Sequence, residues 1–518
     1  MKKSFVKILT LCLAVVLIVS CFAGCKKETV TTETITCAAS EAGWKGFEEV
    51  GQELLDYAAS FTDLNIEWVG TTGEALKLQL NSGANFPDVI FGNKLSAVEV
   101  VRYANSGILI PLEEYITKKN TPNLWKLFEK YPTAKSIITL SDGHIYSLPS
   151  ISDFEAGAYE SSFFINKAWL DKLGLEVPET LDDLYEVLKA FKTQDPNGNG
   201  KADEIPMSWY NNAGYSYPEV LLSSWGVSAK HGTWDQFLAI QDGKVKFAPV
   251  MNEWKEMVSY YGKLYKEGLL DMECMTQNQA SFNAKVANQV SKVGFYWNDA
   301  NISANPEEYI AIKPLSADGK IKPVLHLHPL GITYANTNMF EITSTCEDPA
   351  AVMRWIDNFY SFEVATQLKN GMLGRTFYEE DGMWKFNKPE EGMSQAVMIN
   401  NNTLISWPCA ELTEWFDEKV ETTEVQKSYI DTYKLYEEYI DDEIWPRPYY
   451  DTADSDRISE LTVDLFKLVG QKKGEWITGK ADVEKDWKQY KKDLKNLGLD
   501  ELIEISQKTY DRYLANQK

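Results

Sequence analysis

From Ile35 to Leu112 the chain alternates strand-like and helix-like segments joined by short links, and few folds accept that alternation. Glu48 to Ser60 places Val50, Leu54, Leu55 and Ala58 on one helical face. Asn65-Ile66-Glu67-Trp68-Val69 alternates as a short strand. Gly73 to Asn81 is helical again and stops at Ser82-Gly83, and Pro87-Asp88-Val89-Ile90-Phe91 is a compact apolar strand. Strand, helix, strand with short connections is the pattern of a parallel α/β body. Lys94 to Asn105 adds a helix, while Pro111 keeps the extended stretch Ile108 to Leu112 away from a central strand position. Glu160 to Asn166 reads as a strand and Ala168 to Leu173 as a short helix. Thr180 with Asp183 three residues on starts a capped helix that runs to about Thr193. Helices dominate the C-terminal half, over Pro349 to Asn370, Thr423 to Ile440, Ser455 to Gly470 and Val483 to Asn496.

A chain of 518 residues is too long for one hydrophobic core, so at least two lobes are expected. The net charge of −24 repels nucleic acid and anionic lipid headgroups alike, which excludes a nucleic-acid role. Cys37, Cys274, Cys346 and Cys409 are too scattered for a disulfide framework and read as buried thiols.

The first 27 residues give the address. Lys2, Lys3 and Lys7 precede a 13-residue apolar stretch, Ile8 to Ser20, well short of the ~20 residues that cross a bilayer. Phe22-Ala23-Gly24-Cys25 follows and resembles a bacterial lipobox, with Phe22 where Leu is usual. Ile18-Val19-Ser20 before Cys21 is a second arrangement, and the smaller Ala23-Gly24 pair favours Cys25 as the lipid anchor. The expectation is a lipoprotein signal at 1–24 and a Thr-rich tether at 25–35. The body then works on the extracellular face of the cell membrane (the periplasmic side where an outer membrane exists). Membrane contact comes through the lipid only.

Leu80-Asn81-Ser82-Gly83-Ala84-Asn85-Phe86-Pro87-Asp88-Val89-Ile90 resembles a signature of bacterial extracellular solute-binding proteins of family 1. Ala104 to Leu112, Phe163 to Gly174, Val177 to Leu184 and Leu264 to Asp271 resemble further segments of that family, in the same order. Tyr510-Asp511-Arg512-Tyr513 is similar to the ending of its LipO-like lipoproteins. The resemblance implies an α/β, type II periplasmic-binding-protein fold, with two lobes joined by a hinge and ligand in the cleft between them. It also implies a monomeric, non-enzymatic carrier that captures an oligosaccharide and delivers it to the permease subunits of an ABC transporter. Lobe 1 is expected at 36–158 plus about 303–352, and lobe 2 at 159–302 plus about 353–518.

Asp195-Pro196-Asn197-Gly198-Asn199-Gly200-Lys201-Ala202-Asp203-Glu204 matches the first half of an EF-hand loop, with oxygen donors at alternate positions and Gly at the sixth. Asp195, Asn197, Asn199, the Lys201 carbonyl and Asp203 would take positions 1, 3, 5, 7 and 9. Position 12 is Pro206, so Glu204 would supply the last carboxylate. Alginate-binding members of the family resemble this loop and hold structural calcium there. The competing reading is a Gly/Asn turn closed by its own Asx hydrogen bonds.

Ligands of open α/β sheets bind beyond the carboxyl ends of strands. The strand at Ile90-Phe91 exits into Gly92-Asn93, and Ile205-Pro206-Met207 exits into Ser208-Trp209-Tyr210-Asn211. With Trp297 and Trp407, these mix aromatic faces and amides as sugar recognition requires. Asn93, Trp209, Tyr210, Asn211, Trp297 and Trp407 are therefore the candidate ligand contacts, each weighed against ordinary core packing. A glycoside hydrolase or an envelope lipoprotein without a small ligand are the other readings. No local motif isolates a catalytic carboxylate pair.

Overall fold

The computed structural model describes residues 34–517 except 41–50, 84, 93–94, 154–161, 211–217, 229–236, 287–292, 299–307, 326–336, 392, 394, 404–406, 441–442 and 444. The signal, Cys25 and the tether up to residue 33 lie outside the described residues, as do Asn93 and Asn211.

The opening alternation forms a parallel sheet. β1 (Thr34–Ser40) pairs in parallel with β2 (Asn65–Thr71) on one side and with β3 (Val89–Phe91) on the other. The connecting helix Gln52–Ala59 buries Leu54, Leu55 and Ala58, three of the four residues of the expected face. The next, Gly73–Ser82, is capped by the Thr72 side chain accepting from the Ala75 N–H. It ends at Gly83, whose φ of 71° suits a residue without a side chain.

β4 (Ile151–Ser152) leads to a second sheet built from β5 (Ser162–Asn166) and β6 (Ile205–Met207), in the order β10-β5-β9-β6. After the β7–β8 hairpin (Leu238–Gln241 and Lys244–Phe247) come β9 (Val293–Asn298) and β10 (Tyr309–Ile312). β5 is antiparallel to β9 and β10, and β6 is parallel to β9. β11 (Phe340–Ile342) returns to the first sheet, antiparallel to β3, and completes the order β11-β3-β1-β2. A hairpin of β12 (Phe377–Glu380) and β13 (Met383–Phe386) follows, and β14 (Ala410–Glu411) pairs in parallel with β4.

Two α/β bodies are therefore present, but their boundaries differ from those expected. β10 lies within 303–352 and pairs with β5 of the second sheet. The helices Pro349–Asp357 and Phe362–Asn370 dock on the first sheet's body, where Trp355 Nε1 donates to the Ala58 carbonyl at 2.8 Å and Gln367 bonds to Tyr57. The C-terminal helices touch both bodies. In the 26-residue helix Thr452–Ile477, Thr452 meets Asn105 at 2.5 Å and Lys473 meets the fully buried Glu219 at 2.5 Å. Hydrophobic periodicity gives each element its buried face but not the distant partner that covers it, which is why the boundaries moved. Cys37, Cys274, Cys346 and Cys409 are all buried and form no disulfide.

Candidate functional site

The carboxyl end of β3 rests on an aromatic cluster. The Phe91 ring lies 4.9 Å from Trp407, 5.4 Å from Trp68, 5.8 Å from Trp355 and 5.1 Å from Phe340. Just beyond, the Gly92 N–H donates to the Met339 carbonyl at 2.9 Å, with φ at 85°. Trp407 is 3% exposed, so in this conformation it packs behind the strand end.

The carboxyl end of β6 is braced by buried polar groups. Met207 exchanges backbone hydrogen bonds with the Leu269–Asp271 segment, and the Ser208 N–H donates to the Phe295 carbonyl at 3.1 Å. Ser208 Oγ donates to Asp271 Oδ2 at 2.6 Å. Gln277 Nε2 donates to the Trp209 carbonyl at 2.6 Å, to Ser208 Oγ at 2.9 Å and to Asp271 Oδ2 at 3.0 Å. Lys285 Nζ stands 2.8 Å from Asp271 Oδ2, 2.8 Å from Glu273 Oε2 and 2.7 Å from Gln277 Oε1. Burial pushes the Asp271 carboxyl up, but hydrogen bonds from Lys285, Ser208 and the Glu273 N–H outweigh it and hold the group below its ordinary range. Trp209 and Tyr210 are each 1% exposed. The Trp209 ring lies 5.2 Å from Tyr261, and the Tyr210 ring lies 5.2 Å from Phe282. Trp297 is placed through its backbone only, opposite Phe163 in the β5–β9 register.

Of the six candidate contacts, Trp209 and Tyr210 thus share one strand exit, Trp407 backs the other, and Trp297 lies on β9 beside the first. Asp271, Gln277 and Lys285 were not singled out from the sequence. Asp271 ends the Leu264-to-Asp271 segment, but nothing in its spacing reveals that it meets Ser208 and Lys285.

The loop 195–204 is folded on its own oxygens. Asp195 Oδ1 and Oδ2 accept the Asn199 and Gly200 N–H groups, each at 3.1 Å. Asn199 Oδ1 accepts from the Lys201 N–H at 2.8 Å, and Asp203 Oδ1 accepts from both Asn side chains. Lys172 Nζ donates to the Asp195 and Pro196 carbonyls. Among the described residues no group of three or more His, Cys, Asp or Glu is placed to hold a metal. Yet Glu204 Oε1 is buried without a hydrogen-bond partner. Burial, with Asp195 and Asp203 adding like charge, holds its carboxyl above the ordinary value. An unpartnered carboxylate oxygen beside two acidic groups fits a hard, oxygen-seeking cation.

Residues 38–365 match the family described as bacterial extracellular solute-binding protein. This chain belongs to that family. Its two sheets are accordingly the two lobes of the solute-binding fold, as expected from the motifs. The fructooligosaccharide ABC transporter substrate-binding protein FusA of Streptococcus pneumoniae is 32% identical over 480 residues, covering 90% of this chain and 87% of FusA. Lipoprotein LipO of Bacillus subtilis is 25% identical over 362 residues, covering 65% and 67%. Among solved structures, a human-milk-oligosaccharide (HMO) binding, ABC-transporter associated solute-binding protein of Bifidobacterium longum infantis superposes with a TM-score of 0.80 at 25% identity, over 93% of this chain and 99% of that one. FusA with bound kestose gives 0.74 at 29% identity, over 93% and 100%. An EF-hand mutant of FusA with fructo-nystose gives 0.75 at 28%, over the same shares. FusA and the Bifidobacterium protein thus both bind oligosaccharides and serve ABC transporters. The described residues of this chain contain no helix long and apolar enough to cross a membrane.

Proposed function

We propose that this solute-binding protein captures an oligosaccharide of the fructan type between its lobes and hands it to an ABC permease. It would do so as a monomer tethered through a lipid on Cys25 at the outer face of the cell membrane. The observation that carries the reading is the match to FusA, sustained over 90% of this chain and 87% of FusA. A likeness of that extent spans both lobes and the strand exits between which a ligand would lie. Asn93, Asn211 and Trp297 are the proposed direct contacts, placed by chain order next to those exits. Trp209, Tyr210 and Trp407 would give the two strand exits their aromatic support and reach the sugar only if the lobes rearrange.

In the same reading the loop 195–204 holds a structural calcium through Asp195, Asn197, Asn199, the Lys201 carbonyl, Asp203 and Glu204. The ion would neutralise the acidic cluster and fix the link between the helix Leu181–Thr193 and β6. The orphaned Glu204 oxygen and the EF-hand named in the FusA mutant support this assignment.

Calorimetry against kestose, nystose, milk oligosaccharides and alginate tests the function. Saturable binding of kestose or nystose, with the sugar recovered intact, is expected. Tighter binding of milk oligosaccharides would move the assignment toward the Bifidobacterium neighbour, and cleaved sugar would replace the carrier by a hydrolase. Mass spectrometry of the native N-terminus tests the anchor, since an unmodified terminus downstream of Cys25 contradicts it.

A further inference from the structure

The brace at the β6 exit contains more charge than a fold needs. Asp271 is 7% exposed, its side chain meets the Lys285 ammonium, and Lys285 also holds Glu273. Burying such groups costs several kcal/mol per ion, and well-packed apolar side chains often serve stability as well or better. What an apolar cluster cannot do is orient an amide. Gln277 presents its oxygen to Lys285 at 2.7 Å and its nitrogen to the Trp209 carbonyl at 2.6 Å. If the amide turned over, its nitrogen would face an ammonium and its oxygen would face the Trp209 carbonyl and the Asp271 carboxylate, which only accept, so Lys285 fixes which way Gln277 points. Gln277 in turn fixes the backbone at Ser208 and Trp209. The helix that carries Lys285, Gln279–Val286, places Phe282 against Tyr210, the next residue of the exit. A polar grip from Gln277 and an apolar grip from Phe282 thus hold three consecutive residues.

We propose that Lys285 is a positioning residue for ligand capture: by holding the Gln277 oxygen and the Asp271 carboxylate, it sets the course of the chain as it leaves β6 toward the cleft. The inference rests on the oligosaccharide-capture reading above for its functional half, and on the described geometry alone for its positioning half. In this role Lys285 itself need not touch the sugar. It acts through Gln277 and Asp271.

Hydrogen exchange on the full chain without ligand, read by mass spectrometry, is compared for wild type, Lys285→Met, Lys285→Arg and the exposed control Lys313→Met. In Lys285→Met the amides of Ser208 to Tyr210 are expected to exchange about tenfold faster while the other sheet's amides are unmoved, and Lys285→Arg restores most of the protection. Kestose affinity, measured by calorimetry on the same proteins, is expected to fall about tenfold in Lys285→Met and to recover in Lys285→Arg. Unchanged exchange at Ser208 to Tyr210 overturns the proposal. Faster exchange with kestose affinity held overturns it equally, since the brace would then serve the fold alone. A wild-type chain that binds no kestose counts against the fructan reading, and exchange alone then decides the positioning role.

Discussion

The Asp357 carboxylate accepts the Leu124 N–H at 2.9 Å and the Asn123 N–H at 3.1 Å, so the end of one helix caps the start of another far earlier in the chain. The capped helix, Pro122–Lys130, has no cap of its own, because the Thr121 side chain makes no bond to it. The first-turn N–H groups of a helix have no internal partner, and burial here withholds water from them. Asp357→Ala leaves these donors unsatisfied and is expected to cost about 2–3 kcal/mol. Asp357→Asn keeps one acceptor and costs about half as much. Equilibrium urea unfolding measures both, and an Ala variant with an unshifted midpoint would remove the cap from the account.

Glu341 on β11 carries the opposite kind of balance. It is fully buried, Ser147 Oγ donates to Oε1 at 3.0 Å, and Oε2 has no hydrogen-bond partner. Burial raises its carboxyl well above the ordinary value, and the Ser147 bond offsets this only in part. A carboxyl raised by folding favours the protonated form. Its cost is therefore absent below the unfolded value of about 4.3 and grows as pH rises above it. Glu341→Gln removes that ionisation at constant shape, and a stabilisation on the order of 1 kcal/mol is expected at pH 8, shrinking toward pH 4. Melting temperatures of the two proteins across that range decide it, because a pH-independent difference would mean that Glu341 ionises in the fold as readily as in the unfolded chain.

The contrast between these residues and the capping boxes shows what the sequence could convey. Thr180 and Asp183 bond reciprocally as their three-residue spacing announces, and Val483–Asn496 has the bounds its periodicity predicts. These signals are local, since both partners lie within one turn. The span Pro349 to Asn370, read as one helix, is instead two helices joined by a 3-10 turn at Asn358–Tyr360. Tyr360 turns there to reach the Pro149 carbonyl at 2.7 Å, a partner no local pattern reveals. The candidate site divides in the same way. Strand exits were legible from apolar runs that end in Gly or Ser, while the burial of Trp209, Tyr210 and Trp407 depends on Tyr261, Phe282 and Phe91, which are distant in sequence.

The loop 195–204 yields a metal-dependent prediction. If Glu204 completes a calcium site, calcium at a hundredfold excess over its Kd stabilises the fold by about 2.7 kcal/mol, and EGTA reverses this. Glu204→Gln removes the charge that the ion neutralises and is expected to lose most of the shift. The same substitution relieves the like-charge crowding of Glu204 by Asp195 and Asp203, so it is expected to stabilise the calcium-free protein slightly. Melting curves with and without EGTA test both signs. A wild-type curve indifferent to calcium, together with no metal in the purified protein, would leave the loop as an Asx-bonded turn.

Gly294, the second residue of β9, lets the helix Leu181–Thr193 lie directly on the second sheet. A Cβ there would stand 2.2 Å from a carbon of the Phe191 ring and 2.8 Å from the Pro206 carbonyl oxygen. Phe191 is fully buried and packs edge-on against Trp169 at 5.2 Å, so its ring has little room to withdraw. Gly294→Ala is therefore expected to destabilise by about 3 kcal/mol, at the upper end for one added methyl. Phe191→Leu in the same chain relieves the ring contact but not the carbonyl, so the double variant should recover only part of the loss. The recovered part, from a double-mutant cycle of urea unfolding, measures the contact itself. The helix that must shift runs directly into Asp195, so Gly294→Ala should also weaken the calcium-dependent melting shift although Gly294 carries no ligand. An undiminished shift would show that the loop holds its shape independently of the helix that leads into it.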